Sequence, residues 1–449
     1  MRSEKQYIEL FESNEKQINQ NSHPLLNSFR RDAYTFLKGN GFPSRKDELY
    51  KYTDVEAAFA PDYGLNINRI VFPTEFHQMF RCSIPNMGSS VFFMIGDRFF
   101  APASVQKSLC DGVFVGSICE YAQRYPGSLN AYYHKQASLS RDSVVALNTM
   151  LAQDGLLVHI GKGVKLSSSL QIVNLGRGEM DLMTNRRVLI ILEEGAEASV
   201  LFCEHNLDKQ KFLTTQVLEA YLAPNSHLSL CNIEETHQGN TLFDNVYVRQ
   251  AEYSKLDCGH FILRNGLTRR TGWFQFQGEK AEANIFGGVI GDGKGHTDTN
   301  LLIDHAKGIC RSNILYKYVL DGESEGAFAG KVLVRKNAQK TDSQETNANL
   351  CVSPHSRMYT QPMLEIYADD VKCNHGSTVG RMDEKALFYM GQRGIPEEEA
   401  NLLLQEAFLG EVIRKIQIEP LRERLAIMVE QRFRHKLKGC GNCELCSSK

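Results

Sequence analysis

The chain has 449 residues, of which 42% are apolar and 23% charged, and a net charge of −2. This is the composition of a globular protein, long enough for two to three domains at roughly 150 residues each. The near-neutral balance excludes the basic field that would recruit nucleic acid or an anionic membrane surface, so neither is expected as a partner.

The first residues, MRSEKQYIELFESNEKQ, hold no apolar stretch and no small-residue cleavage site, so they do not read as a secretion signal. No run of about 18 apolar residues occurs, so no bilayer-spanning helix is expected. Twelve cysteines without such a signal point to reduced thiols and a cytoplasmic setting. Most of them read as buried packing residues.

Residues 1–150 are expected to form a mainly helical region with short strands. From Pro24 to Leu37, apolar Leu25, Leu26, Phe29, Tyr34, Phe36 and Leu37 alternate with basic residues, and Gly39 and Gly41 end the helix. Val91–Ile95 and Gly112–Val115 suggest strands, and Leu147–Leu151 can start a helix.

Residues 151–380 change to strand patterning. The apolar tracts are Leu156–Ile160, Val188–Leu192, Val217–Leu222, Val246–Val248, Trp273–Phe276, Leu301–Ile303 and Val332–Val334. Polar corners beginning at Glu194, Pro224, Ala251, Gly278 and His305 recur roughly every 27–30 residues. Such a period predicts stacked coils, and helical periodicity is missing, so a parallel β-helix fits better than a doubly wound sheet. A twisted antiparallel sandwich is the alternative. Cys203, Cys231 and Cys258 each follow the corner positions Ala196, Pro224 and Ala251 by seven residues. That spacing predicts a ladder of small interior side chains, one per coil. Gly291–Thr297 has glycine and lysine spacing wrong for phosphate binding and reads as a tight turn.

Residues 381–438 return to helical patterning. Asp383 can cap Glu384–Arg393, Gly394 ends it, and Pro396 precedes three glutamates suited to a helix N-terminus. Leu403, Ala407, Phe408 and Val412 then form an apolar stripe. A third helix follows Glu419-Pro420. These helices either cap the open end of the coils or present a groove to a partner.

Two groups of residues carry chemistry. Cys373 and His375 stand two apart in a loop at the end of an alternating strand, where both side chains can share one face and bind a soft metal. Residues 439–449 contain Cys440, Cys443 and Cys446, a Cys-x-x-Cys-x-x-Cys run that can direct three thiolates to one metal ion. A fourth ligand would come from His435, a partner or an added thiol. A disordered tail is the other reading.

Many dispersed segments, in order, are similar to the SufB/SufD family of iron–sulfur cluster assembly proteins. They include Gly41–Thr53, His296-x-Asp298, Asp304-His305, Ser312, Ala338–Asp342, Asn347-x-Asn349-Leu350, Pro362-x-Leu364-Glu365-Ile366 and Asp369–Cys373. The form Cys373-Asn374-His375-Gly376 resembles the SufD branch, and no cysteine stands on the preceding strand where the SufB branch has one. The resemblance implies a right-handed parallel β-helix flanked by N-terminal and C-terminal helical regions. It implies a non-catalytic scaffold subunit that pairs with a SufB-like subunit and binds a SufC-like ATPase through the C-terminal helices. For the isolated chain both a monomer and a homodimer stay open. It also implies a transient Fe–S cluster shared with the SufB-like subunit, ATP acting only through the ATPase, and a flavin in the complex, although no flavin motif is present. His375, with Cys373, would bind the cluster at the joint. Two other functions compete: a structural β-helix interaction module and a carbohydrate-active β-helix protein, for which Asp369-Asp370 is the acidic pair.

Overall fold

The computed structural model describes residues 3–69, 87–107 and 109–434. Its body is a parallel β-solenoid of about eight turns, flanked by N-terminal and C-terminal helices. Successive strands alternate between two ten-stranded sheets, so neighbours within a sheet are next-but-one in sequence. Glu197, His227, Lys255, Glu282, Arg311, Asp342 and Lys372 align in register along the second sheet. Subtracting those numbers gives repeats of 30, 28, 27, 29, 31 and 30 residues. Stacked coils are therefore the architecture, and the sandwich is excluded. Two short strands from the N-terminal region, Ser90–Ile95 and Val113–Ser117, extend the two sheets at the opposite end.

The corners explain the stacking. Gly195, Asn225, Tyr253, Lys280, Ile309 and Lys340 all have positive φ. This conformation turns each corner N–H along the solenoid axis. Each donates to a carbonyl of the next turn: Gly195 to Pro224, Asn225 to Glu252, Tyr253 to Glu279, Lys280 to Gly308, Ile309 to Gln339 and Lys340 to Asp370, at 2.6–3.4 Å. The ladder satisfies corner groups that strand pairing leaves out. The expected turn at Gly291–Thr297 is one of the opposite corners, with Gly293 at φ 55°.

Both faces of each sheet are covered for much of the stack. Leu218, Val246, Phe274, Ile303 and Val332 point into the solenoid from the first sheet. Its outer face receives Phe11, Leu37, Phe59 and Leu147 from the N-terminal helices. Strand Phe212–Leu222 is consequently buried at every position. All the apolar tracts visible in sequence lie on this first sheet, because strands buried on both faces read as unbroken apolar runs. Helix Ser143–Leu151 is capped by Asp142 and also buried throughout, so it begins four residues before the apolar run that announces it.

The cysteine ladder does not form. The in-register equivalents of Ala196 are Ser226 and Ser254, one before His227 and Lys255, whereas Pro224 and Ala251 lie further back. Cys203 instead stacks on Ile233, and Ile233 on Phe261. Cys203 and Cys231 face outward against the C-terminal helices, while Cys258 faces the interior. These three corners are equally long, residues 193–196, 223–226 and 251–254, but Ala196, Pro224 and Ala251 are the fourth, second and first residues of their corners, so the three counts start at different positions.

The C-terminal helices do not cap the solenoid. Helices Glu397–Ile413 and Glu419–Phe433 lie on the outer face of the second sheet, with Leu409, Val412, Ile413 and Leu425 against Phe261, Phe286, Ile290 and Leu315. Leu403 and Ala407, expected in the apolar stripe, are exposed. Lys317 anchors the packing through an ion pair to Glu411, and its ammonium lies 4.3 Å from the Phe408 ring centroid.

Two stability predictions follow from the interior and the corners. A β-branched residue pays steric strain at positive φ, and Ile309 sits at φ 61° while remaining 43% exposed. Ile309→Gly is expected to raise stability by about 0.5–1 kcal/mol in denaturant melts. Glu234 is buried in the interior, and burial, opposed by hydrogen bonds from Thr268 and Thr236, pushes its carboxyl up to about 8. The folded state then holds a proton that the unfolded state has released. Stability falls as pH rises from the ordinary carboxyl range through 8, with a slope of up to about 1.4 kcal/mol per pH unit. In Glu234→Gln that contribution to the slope is expected to vanish in melts taken from pH 5 to 8.

Candidate functional site

The last turn of the solenoid consists of Arg357–Ile366 in the first sheet and Val371–Gly380 in the second. Each is the terminal strand of its sheet. Their inward residues continue the interior columns. Leu364, Met358, Val371 and Cys373 are partly buried and pack on the core, with no further turn above them. Thr360 and Ser377 hydroxyls meet at 2.6 Å between the two strands.

Cys373 and His375, expected in a loop after an alternating strand, lie instead within this final strand, two residues apart and in the same phase. Cys373 is half-buried, and His375 is exposed. Burial raises the Cys373 thiol pKa, with a smaller rise from Asp342 opposed by a backbone hydrogen bond at Ser343.

The interior changes character toward this end. One column runs Val200, Leu230, Cys258, Ile285, Ile314, Glu345, His375. Its neighbour runs Leu228, Leu256, Ala283, Ser312, Ser343, Cys373. These two columns thus become polar over the last two and three turns, respectively. Ser312 bridges His305 and Ser343 at 2.9 and 2.7 Å. Asn347 donates to the Tyr316 carbonyl, and Asn349 donates across to the Thr378 carbonyl at 2.8 Å, tying three turns together.

The N-terminal loop reaches the same end from outside. Thr53 donates to Asp298 at 2.6 Å, and Asp298 pairs with Arg269, whose guanidinium lies over the Tyr50 ring. Tyr52 stacks on Tyr359 of the terminal strand, with ring centroids 4.5 Å apart.

Against known families, residues 174–408 match the model described as SUF system FeS cluster assembly, SufBD core domain, and residues 1–172 match the SufBD protein N-terminal region. The chain belongs to the SufB/SufD family. It is similar to the iron–sulfur cluster assembly protein SufD of Escherichia coli, at 29% identity over 402 residues, covering 88% of this chain and 90% of that protein. A SufBD family protein of Synechocystis is 25% identical over 412 residues, covering 89% of this chain and 90% of its own length. The SufD of Bacillus subtilis is 23% identical over 344 residues, 75% of this chain and 78% of its own length. The chain is thus an iron–sulfur cluster assembly protein with SufD homologues.

Several of the family-like motif residues hold the fold together. Asp298 and Thr53 dock the N-terminal loop. Asp304 pairs with Arg335 through two bonds of 2.7 and 2.8 Å. His305 is buried against Phe276, and desolvation pushes it down to about 3, so it stays neutral. Asp369 and Asp370 sit in the corner before the final strand. Cys440, Cys443, Cys446 and His435 lie outside the described residues.

Glu345 escaped the sequence reading. Its signal was the alternation Thr341, Ser343, Glu345, Asn347, Asn349, which puts all five on the inner face; in the column of Glu345 the five coils beneath it, from Val200 to Ile314, have aliphatic residues or cysteine.

The burial of these thiols predicts an order of alkylation in the folded chain. Exposed Cys110 is expected to react with iodoacetamide first, Cys373 about tenfold or more slowly, and fully buried Cys231 and Cys258 only on unfolding. Peptide mass mapping over time checks it.

Proposed function

We propose that the chain is the SufD-type, non-catalytic subunit of an ATP-driven assembly complex, that its last turn joins a SufB-like subunit, and that His375 ligates the nascent cluster at that joint. The uncovered last turn carries the reading. Strand Arg357–Ile366 has no buried residue, although the strand beneath it is largely buried. Free sheet edges that long invite strand addition unless something blocks them. A sister solenoid placed edge to edge extends both sheets and shields Met358, Leu364, Val371 and Cys373. It also surrounds His375 with a second set of ligands, which a cluster needs, because one imidazole and one thiol leave iron sites open. His375 then supplies a neutral imidazole, and Cys373 a thiolate once iron draws off its proton. The cluster is cargo and leaves for an apoprotein.

The ATPase docks on the C-terminal helices. Helix Glu384–Gln392 follows the final strand directly, has no buried residue, and leaves Phe388 70% and Tyr389 59% exposed. A SufC-like partner covering these rings would connect its own opening and closing to the strand that carries His375. The carbohydrate-active alternative has no support in the family match, and Asp369-Asp370 in a tight corner offers no substrate cleft.

The test is reconstitution. His375→Ala, co-purified with a SufB-like subunit and its ATPase, is expected to assemble with normal stoichiometry while cluster yield, read by absorbance and bound sulfide, drops at least fivefold. Full yield from the intact complex would refute the ligand role.

A further inference from the structure

We infer that Glu345 is the inner, oxygen donor of a divalent-cation site whose outer donors are Cys373 and His375, with the cation entering from the open end of the solenoid. The inference rests on the ligand role proposed for His375 and adds to it a residue from the turn below.

Glu345 is 1% exposed, and neither of its carboxylate oxygens has a hydrogen-bond partner among the described residues. A buried carboxyl without a partner is rare, and it either keeps its proton or takes a cation or donor from outside the chain. Below it the column is Ile314, Ile285 and Cys258, and the interior guanidinium at Cys258, that of Arg270, is already paired with Asp244. Directly above it, in register, stands His375. Cys373 is on the same face of the same strand. Adjacent strands lie about 4.8 Å apart, and side chains two residues apart on one face lie about 7 Å apart. Metal–donor bonds of about 2.0–2.3 Å bring three such side chains to one ion. Among the described residues no three His, Cys, Asp or Glu groups already converge on a point, so closure takes side-chain rotation. The open mouth above Cys373 and His375 leaves room for it.

The opposite sheet keeps space for the carboxylate. Gly330 faces it, and a Cβ at that position would overlap the Glu345 carboxylate. A basic side chain from a partner would neutralise a carboxylate too. The neighbours decide against it: a thiol and an imidazole beside a carboxylate are a donor set for a borderline divalent metal, and neither helps to hold an ammonium or guanidinium.

Cobalt(II) is the probe, titrated into the full-length chain with Cys440, Cys443 and Cys446 changed to serine in every arm. The parent is expected to bind one cobalt with a thiolate charge-transfer band and to melt at higher temperature when loaded. Glu345→Gln is expected to weaken binding at least tenfold, with the thiolate band still reached at saturation. Glu345→Met, which suits the aliphatic column, is expected to lose affinity equally, and it decides the matter if the Gln variant does not fold. Parent-like affinity in both variants, with binding lost in His375→Ala, would overturn this inference and leave the His375 reading standing. Parent-like affinity in His375→Ala as well would overturn both.

Discussion

Register is the constraint on which the rest depends. Every turn of the solenoid is held to the next by parallel strand pairing and by a corner N–H pointing along the axis. A column of side chains is therefore a line of equivalent positions, and a residue's environment is set by the turn it occupies. That geometry buries residues efficiently along the stack, but it has no internal means of ending. The last turn must expose its edges and its inner face, or borrow a cover. In this chain the C-terminal helices leave the end uncovered and lie on a side instead, with Leu409 and Val412 on the outer face of the second sheet.

The interior is adapted to that open end. Two aliphatic columns become polar toward this end, where Ser312 and Ser343 follow Ala283 in one and Glu345 follows Ile314 in the other. Water or a partner's polar groups can meet such a surface without the desolvation cost that an aliphatic stack would demand of them. Cys373 and His375 stand at the rim of this polar mouth, and Glu345 lies one layer inside it. Gly330 leaves the room that Glu345 takes up.

Much of this was legible in the sequence, and the failures have physical causes. The stacked coils were visible because the first sheet is covered on both faces and its strands read as unbroken apolar runs. The second sheet's strands were seen only as alternation after each corner. The predicted cysteine ladder failed because its counts started at different positions of equally long corners: Pro224 lies two residues and Ala251 three residues before the register partner of Ala196, and an odd offset sends a side chain to the opposite face. That is how Cys258 comes to face inward while Cys203 and Cys231 face outward. The apolar stripe of helix Glu397–Ile413 was misjudged at Leu403 and Ala407 because a helix lying on a sheet buries only the face its docking angle selects. Cys373 and His375 were found by residue type and spacing. Glu345 was missed because a glutamate in a polar strand looks solvated until the strand above and the glycine opposite are known.

If a sister solenoid joins the last turn, the two terminal strands are an interface in waiting. Hydrogen–deuterium exchange tests it most directly, comparing the free chain with its complex with a SufB-like subunit. Amides of Arg357–Ile366 and Val371–Gly380 should exchange rapidly in the free chain and become protected on assembly, while interior strands such as Phe212–Leu222 stay protected in both. Unchanged exchange at the two terminal strands, with protection appearing elsewhere on the molecule, would contradict it.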